Sequence, residues 1–213
     1  MDVAIPIVFP DYLIAVDTPQ AVVNVPDLLP FVDILPARVT IHTIKSKVPY
    51  LGHAGVLLID GTSGLTKYFE YGRYDRAAKE LVRSVRVSDV QLKSGKPTQD
   101  SMKRVFSEIS TRSGQGGAIK GAYIEVAPGK FSDMVSYAKR REKENTNPKR
   151  TPYDLLSNSC LHFAVNTVAA AGPPLPPVAD PRPLGHIDLI RSSYPALDFK
   201  PPSTLVVEGV ALP

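Results

Sequence analysis

The single cysteine of the chain lies in the stretch Ser157-Asn158-Ser159-Cys160-Leu161-His162-Phe163-Ala164. Serine and asparagine side chains accept hydrogen bonds from the free backbone N–H groups at helix N-termini, and the apolar run that begins at Phe163 supplies the body of a helix. Cys160 is therefore predicted to lie in the first helical turn. The free amides and the positive end of the helix dipole favour a thiolate there, and the thiolate is the nucleophilic form of cysteine.

A lone cysteine in an apolar helix is more often a packed core residue than a nucleophile, and a catalytic thiol needs a histidine from elsewhere in the chain. A candidate histidine occurs in Gly52-His53-Ala54-Gly55-Val56-Leu57-Leu58-Ile59. The apolar run in this stretch and the Asp-Gly turn after it predict a β-strand that ends in a hairpin. Cys160 and His53 are thus candidates for a nucleophile and its base.

The register of this hairpin decides which residue could orient the histidine. If Ile59 pairs with Thr66, Glu70 lies diagonal to His53 on one face of the sheet, about 7–8 Å away between backbones. A loop shorter by one residue would bring Phe69 and Tyr71 to that face instead. The sequence leaves both registers open, and Glu70 as the third member of the site depends on the first.

Proline-dense segments flank the middle of the chain. Residues 1–49 carry prolines at short intervals, which disfavour long helices and central strands, so we predict an extended segment with short edge strands such as residues 39–44. Residues 173–213 repeat this composition and are predicted to be a tail with a strand at residues 205–207. Residues 50–172 are the predicted catalytic domain.

Further elements are indicated inside that domain by the spacing of apolar residues. One helix is predicted to open at residues 97–100 and to end at residues 113–117, and a second covers residues 128–141. Strands are predicted within residues 81–90 and at residues 121–126. The apolar stripes of both helices are assigned to the core.

The composition sets bounds on compartment and partners. The chain has 213 residues, of which 43% are hydrophobic and 22% charged, as expected for one globular domain. The net charge of +4 is modest, no phosphate-cradling glycine motif is present, and the one dense basic run, residues 139–143, is expected to be the solvated end of a helix, so we expect no nucleic acid as partner. No apolar stretch approaches the roughly 20 residues that span a bilayer, so no stable membrane insertion is expected.

The cysteine count and the first residues of the chain bear on where the protein is made. With one cysteine, the chain forms no internal disulfide, and its fold does not depend on an oxidising compartment. The first residues lack the cationic and apolar regions of a secretory signal peptide. We therefore expect synthesis in the cytoplasm and transport, where it occurs, by another machine.

A cysteine at a helix start, a histidine on a strand and an acidic residue on the adjoining strand are the parts of a thiol hydrolase. The imidazole takes the thiol proton and later donates it to the leaving group, while the third residue orients the ring. The backbone N–H of Cys160 would stabilise the oxyanion. Tyr153 and Asn158 are candidate side-chain donors, and Ser159 is a further candidate support.

The strand Gly52-His53-Ala54-Gly55-Val56, the segment Tyr68-Phe69-Glu70-Tyr71-Gly72-Arg73-Tyr74 and the helix Asn158-Ser159-Cys160-Leu161-His162-Phe163 together resemble a circularly permuted NlpC-like domain of the papain fold. In the permuted order the histidine strand precedes the cysteine helix. The resemblance implies an α+β fold, with an antiparallel sheet packed against helices and the nucleophile at a helix N-terminus. With the proline-rich N-terminal segment, the chain looks most like type VI secretion effectors that attack peptidoglycan.

This resemblance implies a function and roles for the site residues. Cys160 would be the nucleophile, His53 the general base and Glu70 the third member of a cysteine amidase or endopeptidase that cleaves peptidoglycan stem peptides without a cofactor. The match is imperfect at Asn158, because Ser159 separates it from the cysteine, whereas in many relatives the two are adjacent. Implied partners are a secretion-machine component and an immunity protein, and the implied place of action is the periplasm of a target cell.

Two other functions use the same residues differently. An acyltransferase or lipid hydrolase of the lecithin retinol acyltransferase type would share the nucleophile and base but act on an ester. A non-enzymatic adaptor would use the proline-rich termini for docking and would leave Cys160 and His53 without a chemical role.

A metal site is a third alternative to a thiol hydrolase. It would draw ligands from Cys160, His162, His42, His53 and His186. The Cys-x-His spacing is not one used for zinc, and residues two apart on a helix point to different sides. We therefore expect no metal.

Overall fold

The structure is a computed structural model that describes residues 1–16, 44–46, 52–72 and 80–213. The strands in this part of the chain are β1 (Asp2–Phe9), β2 (Ile14–Val16), β3 (Ile44–Ser46), β4 (His53–Ile59), β5 (Thr66–Gly72), β6 (Leu81–Val85), β7 (Leu92–Lys93), β8 (Lys96–Pro97), β9 (Ile119–Ala122), β10 (Ile124–Val126), β11 (Ala196–Lys200) and β12 (Thr204–Val207). The α-helices described are α1 (Gln99–Arg112), α2 (Lys130–Lys143), α3 (Cys160–Ala169) and α4 (Pro183–Arg191), with a 3-10 helix at Glu144–Thr146.

One antiparallel sheet organises the molecule. Its strand order is β12-β11-β9-β1-β4-β5-β6, and β10 also pairs with β1. Two small sheets, β2-β3 and β7-β8, lie apart from it. The predicted α+β class with an antiparallel sheet packed against helices is confirmed. In the described part of the chain, no helix has both the length and the apolar character needed to cross a membrane.

Helices cover both faces of this sheet. Val56 and Leu58 of β4 pack in one core with buried residues of α2, α3 and α4. Leu57 and Ile59, which point to the other face, pack with the apolar stripe of α1. All of β4 is consequently buried, which explains why an antiparallel strand has a continuous apolar sequence in place of an alternating one.

The β4–β5 hairpin adopts the register on which the assignment of Glu70 depends. Ile59 pairs with Thr66, and Gly55 pairs with Glu70. His53 and Glu70 therefore share one face of the sheet, because side chains alternate with a period of two. The six-residue loop is confirmed, and the alternative with Phe69 on this face is excluded.

The N-terminal strand corrects one expectation from the sequence. We expected only short edge strands in residues 1–49, but β1 lies inside the sheet, between β4 on one side and β9 with β10 on the other. Pro6 is tolerated there because β9 and β10 are separated at Tyr123, and their registers leave Pro6 without a partner on that side. The missing N–H of proline thus falls at a break in the neighbouring strands.

The C-terminal segment also differs from the expected tail. Residues 173–213 contribute α4, whose Ile187 and Ile190 are buried, and β11 with β12 at one edge of the sheet. Prolines occur here at positions that regular structure accepts, such as Pro183 at the start of α4, so their frequency did not prevent folding. The strand predicted at residues 205–207 is confirmed by β12.

The remaining element predictions agree with the structure in most cases. α1 and α2 occupy the two predicted helices, β6 lies within residues 81–90, and residues 121–126 contain parts of β9 and β10 in place of one strand. Residues 39–43 of the predicted edge strand lie outside the described residues. The division of the chain into functional segments at residues 50 and 172 stays a prediction.

Asp2 joins β1 to the rest of the fold through two backbone groups. Its carboxylate is buried; Oδ1 accepts a hydrogen bond from the Gly61 N–H at 2.9 Å, and Oδ2 accepts one from the Phe131 N–H at 2.8 Å. Phe131 lies in the first turn of α2, and Gly129 before it has no side chain to cap this helix. Asp2 therefore caps α2 from a distant strand, where the helix dipole also favours a negative charge.

We expect Asp2→Ala to lower the free energy of unfolding by about 1–3 kcal/mol, because it removes the cap and leaves two partly buried N–H groups without an acceptor. Urea denaturation followed by circular dichroism measures this change. Asp100→Ala is the matched control, since Asp100 lies in the first turn of α1 with an exposed side chain, and it should change stability by less than about 0.5 kcal/mol. Equal losses for the two variants would contradict the cap.

Candidate active site

The helix that carries the cysteine begins as the sequence predicts. Ser159 is the N-cap of α3, with an extended backbone, and its hydroxyl accepts from the His162 backbone N–H. The His162 ring in turn contacts the Ser159 backbone N–H at 3.4 Å, which completes a reciprocal capping box. Cys160 is the first residue of the helix, and its side chain is buried. The cap holds the cysteine where the free amides of the helix converge.

His53 is the first residue of β4 and reaches both other members of the predicted site. Its Nε2 lies 3.3 Å from Glu70 Oε2, and its ring also hydrogen-bonds the sulfur of Cys160. With Nε2 directed at the carboxylate, Nδ1 is the nitrogen left to face the thiol. This places the imidazole between an acid and a thiol, which is the arrangement that a general base requires.

Two aromatic side chains hold the His53 ring from the side. Phe9, at the end of β1, stacks on it with ring centroids 6.0 Å apart and an interplanar angle of 13°. Tyr12, in the turn after β1, lies 5.1 Å from it in a tilted arrangement. These contacts restrict rotation of the imidazole and exclude water from it. Both residues come from the N-terminal segment, and the sequence analysis did not identify either.

Glu70 has no exposed surface and is surrounded by donors. Its Oε2 accepts from the Tyr68 hydroxyl at 2.9 Å and faces His53, while Oε1 accepts from the Ser113 hydroxyl at 3.1 Å and from the guanidinium of Arg83. A buried carboxylate stays ionised only where such donors replace water. The donors around Glu70 therefore stabilise its ionised form in the folded protein.

The three groups shift one another's proton affinities. Burial lowers the pKa of His53, but its hydrogen bonds to Cys160 and Glu70 and their negative charges outweigh burial and raise the pKa to about 9. Burial raises the pKa of the Cys160 thiol, but the hydrogen bond and charge of His53 outweigh it and leave the pKa below its ordinary value. Burial likewise raises the pKa of Glu70, and contacts with His53 and Arg83 bring it below normal. All three shifts favour the charged forms, a thiolate, an imidazolium and a carboxylate.

Tyr153 and a backbone amide complete the surroundings of the sulfur. The Tyr153 hydroxyl donates to Cys160 Sγ at 3.6 Å, and the Ala54 N–H also hydrogen-bonds the sulfur. Burial and the negative charge of Cys160 raise the pKa of Tyr153, so its hydroxyl keeps its proton and remains a donor. The Tyr153 ring packs on Tyr71, with centroids 5.4 Å apart.

The Asn158 side chain bonds to neighbouring protein groups, whereas an oxyanion donor would keep its N–H free for the substrate. Its amide group donates to the Pro152 carbonyl at 2.8 Å and the Thr151 carbonyl at 3.2 Å, and its oxygen accepts from Arg141 at 2.9 Å. These contacts brace the segment that carries Tyr153. The structure therefore brings Cys160, His53, Glu70 and Tyr153 together, while Asn158 and Ser159 shape the backbone around them.

Three residues around Glu70 were missed by the sequence analysis, for different reasons. Tyr68 shares a face with Glu70 by the period of two, so the strand pattern could have identified it. Arg83 pairs directly with Glu70 in the β5–β6 register, but that register cannot be read from the sequence across the intervening segment. Ser113 follows the last residue of α1 and gives no local signal.

Gly55 allows Tyr68 to reach the carboxylate. A Cβ atom at Gly55 would lie 2.2 Å from the Tyr68 hydroxyl oxygen, so any side chain there would displace the phenol. The glycine in the His-Ala-Gly motif is thus a steric requirement of the contact between Tyr68 and Glu70.

The described histidines of the metal alternative, His53, His162 and His186, do not form a metal site with Cys160. Among the described residues, no three His, Cys, Asp or Glu side chains are arranged to hold a metal ion. The His162 ring contributes to the helix cap, and His186 is buried in α4, with neither ring nitrogen hydrogen-bonded within the described part of the chain. His42 lies outside the described residues.

Comparisons with known proteins give a consistent relationship. A family described as "Type VI secretion system effector TseH-like" matches residues 4–173. The crystal structure of a type VI secretion system effector, TseH, is similar over 97% of this chain and 97% of that chain, with 34% sequence identity and a TM-score of 0.72. No curated protein matches the chain significantly.

The charges of this site predict the pH dependence of thiol alkylation. Because the pKa of Cys160 is lowered, iodoacetamide should react with the native protein well below about 8.5, the pKa of a free thiol. His53→Ala removes the stabilising imidazolium and leaves burial, so its reaction midpoint should move above that of the native protein. Intact-protein mass spectrometry from pH 4 to 10 measures both, since the chain has one cysteine.

The unfolded protein in urea is the control for this titration, because it should react as a free thiol does. A native midpoint equal to the unfolded one would contradict a lowered pKa of Cys160. A His53→Ala midpoint equal to that of the native protein would contradict His53 as its cause.

Proposed function

Because the chain belongs to the TseH-like family of type VI secretion system effectors, we propose that it is a cysteine hydrolase that cleaves an amide bond in peptidoglycan stem peptides. One observation carries this proposal: the row formed by Cys160, His53 and Glu70, in which the thiol has a lowered pKa and the imidazole a raised one. Such a row activates a nucleophile and stores the proton that an amine leaving group needs.

The proposed reaction begins with attack by the Cys160 thiolate on the carbonyl carbon of the scissile amide. The carbonyl oxygen becomes an oxyanion, for which the Cys160 backbone N–H at the start of α3 and the Tyr153 hydroxyl are donors. The His53 imidazolium gives its proton to the amide nitrogen. The amine then leaves, and the acyl group remains on Cys160 as a thioester. His53 then takes a proton from water, the hydroxide attacks the thioester, and the carboxylic acid product leaves as the thiolate is regenerated.

Glu70 has an electrostatic and orienting role in this proposal. Its donors on both oxygens keep it ionised, and its contact with Nε2 keeps the other ring nitrogen directed at the sulfur. A carboxylate in this position stabilises the imidazolium without accepting its proton.

We further propose that the domain is a circularly permuted NlpC-like member of the papain fold. The histidine strand precedes the cysteine helix in the chain, α3 packs on the sheet that contains β4, and the acidic residue lies on the adjoining strand. Delivery by the secretion machine would bring the enzyme to the periplasm of a target cell, where peptidoglycan is exposed. Partners in this proposal are a component of that machine and an immunity protein.

Incubation of purified sacculi with the protein tests the proposed reaction, with released fragments identified by mass spectrometry. We expect the wild type to release stem-peptide fragments, with one new amino group and one new carboxyl group formed for each bond cleaved. Cys160→Ala should lower the rate by about 10³-fold or more, and Glu70→Gln by on the order of 10²–10⁴-fold, because the carboxamide no longer stabilises the imidazolium. Asp100→Ala, on the exposed side of α1, should retain the wild-type rate.

Equal fragment release by Cys160→Ala and wild type would contradict the nucleophile. Fatty-acid release from phospholipid vesicles, with sacculi left intact, would replace the amidase by the lipid hydrolase. If the wild type cleaves neither substrate, and Cys160→Ala is as toxic as the wild type in the periplasm of a sensitive cell, the result would favour the adaptor.

A further inference from the structure

Arg83 stands at the far end of the row of ionisable groups that begins at the sulfur. It lies on β6, directly opposite Glu70 in the β5–β6 register. Its Nε and one terminal nitrogen both contact Glu70 Oε1, the oxygen that does not face His53. When the thiol is deprotonated and the imidazole protonated, Cys160, His53, Glu70 and Arg83 alternate in charge as thiolate, imidazolium, carboxylate and guanidinium.

The position of β6 makes this arrangement possible. Among the described strands β6 is at the edge of the main sheet, and 39% of the Arg83 side-chain surface is exposed, whereas Glu70 has none. The guanidinium thus keeps much of its hydration while its donors reach a fully buried carboxylate. An arginine at an edge strand can supply charge to a buried site at a lower desolvation cost than a buried cation would incur.

The other partners of Glu70 differ from Arg83 in one respect. Tyr68 and Ser113 are neutral donors, which fix the direction of the carboxylate by hydrogen bonds of 2.9 and 3.1 Å. Arg83 brings a full positive charge to the carboxylate, opposite in sign to Glu70. Without it, the buried row of thiolate, imidazolium and carboxylate would carry a net negative charge, and protonation of the row would relieve that charge.

We propose that Arg83 is a positioning residue of this site, whose guanidinium acts through Glu70 to keep His53 protonated and Cys160 in the thiolate form. The inference rests on the proposed function, since it assigns Arg83 to the same site. It adds that the reactivity of the Cys160 thiol on α3 depends on Arg83 of β6. The contacts that carry this dependence join Arg83 to Glu70, and not to the sulfur or to the imidazole.

Alkylation of Cys160 by iodoacetamide as a function of pH tests this inference without any substrate. Arg83→Gln keeps a side chain of similar polarity but removes the charge, so we expect its reaction midpoint to rise by about one pH unit or more. The alkylation rate below the wild-type midpoint should therefore fall roughly tenfold, while the plateau at high pH stays unchanged. Arg83→Lys restores the charge without the fork of donors and should lie between wild type and Arg83→Gln.

Two controls separate charge from structure. Ser113→Ala removes a neutral donor from the same Glu70 oxygen and should shift the midpoint less than Arg83→Gln does. Arg104→Gln removes an exposed arginine from α1 and should leave the midpoint unchanged. Circular dichroism and urea denaturation establish that each variant is folded, and Arg83→Lys supplies the comparison with wild type if Arg83→Gln does not fold.

The outcomes distinguish this inference from the proposed function. If the folded arginine variants keep the wild-type midpoint, Arg83 does not act on the thiol and the inference is overturned, even where sacculi are cleaved. If the midpoints shift as expected and no peptidoglycan or lipid is cleaved by the wild type, the role of Arg83 stands and the proposed hydrolase function fails. A loss of stability without a midpoint shift would leave Arg83 a structural residue and would also overturn the inference.

Discussion

The pairing of Ile59 with Thr66 decides which side chains of β5 face His53. Since side chains alternate along a strand, a slip of one residue would turn Glu70 toward α2 and α3 and would bring Phe69 beside the imidazole. Such a slip would also bury a carboxylate in the apolar core that contains Phe69 and Tyr71. The register is thus held by the free energy of burial on both faces, and the site depends on the same pairing.

Burial on both faces also sets the electrostatic character of the site. Cys160, His53 and Glu70 are each nearly or fully withdrawn from solvent, so their charges are stable only as neighbours of one another. The thiolate depends on the imidazolium, and the imidazolium depends on the carboxylate, whose own charge depends on donors from β5, β6 and the end of α1. A reactive thiol is in this way the outcome of contacts among α3, β4, β5, β6 and the end of α1.

The termini of the chain take part in both fold and site. β1 supplies a strand in the interior of the sheet, Asp2 caps α2, and Phe9 confines the His53 ring. The same strand therefore links the start of a helix on one side of the sheet to the histidine at the end of β4. β11 and β12 form the edge of the sheet farthest from β6, and Ile187 and Ile190 of α4 are buried in the core, so the described parts of both terminal segments belong to the fold.

Local physical rules were sufficient for several features of this protein. The polar residues before Cys160 identified a helix start, apolar spacing identified α1 and α2, and the Asp-Gly turn identified the hairpin, because each depends on residues near one another in the chain. The sequence thus determined the elements that carry Cys160, His53 and Glu70. It did not determine the β4–β5 register, the place of β1 in the sheet or the contact of Arg83 with Glu70. Those features depend on which segments, distant in sequence, pair as neighbouring strands and pack in the same core. Proline content and turn residues are local properties, and they do not specify these pairings. Only the tertiary structure decided them, since the burial of apolar surface and the satisfaction of a buried carboxylate are properties of the whole fold.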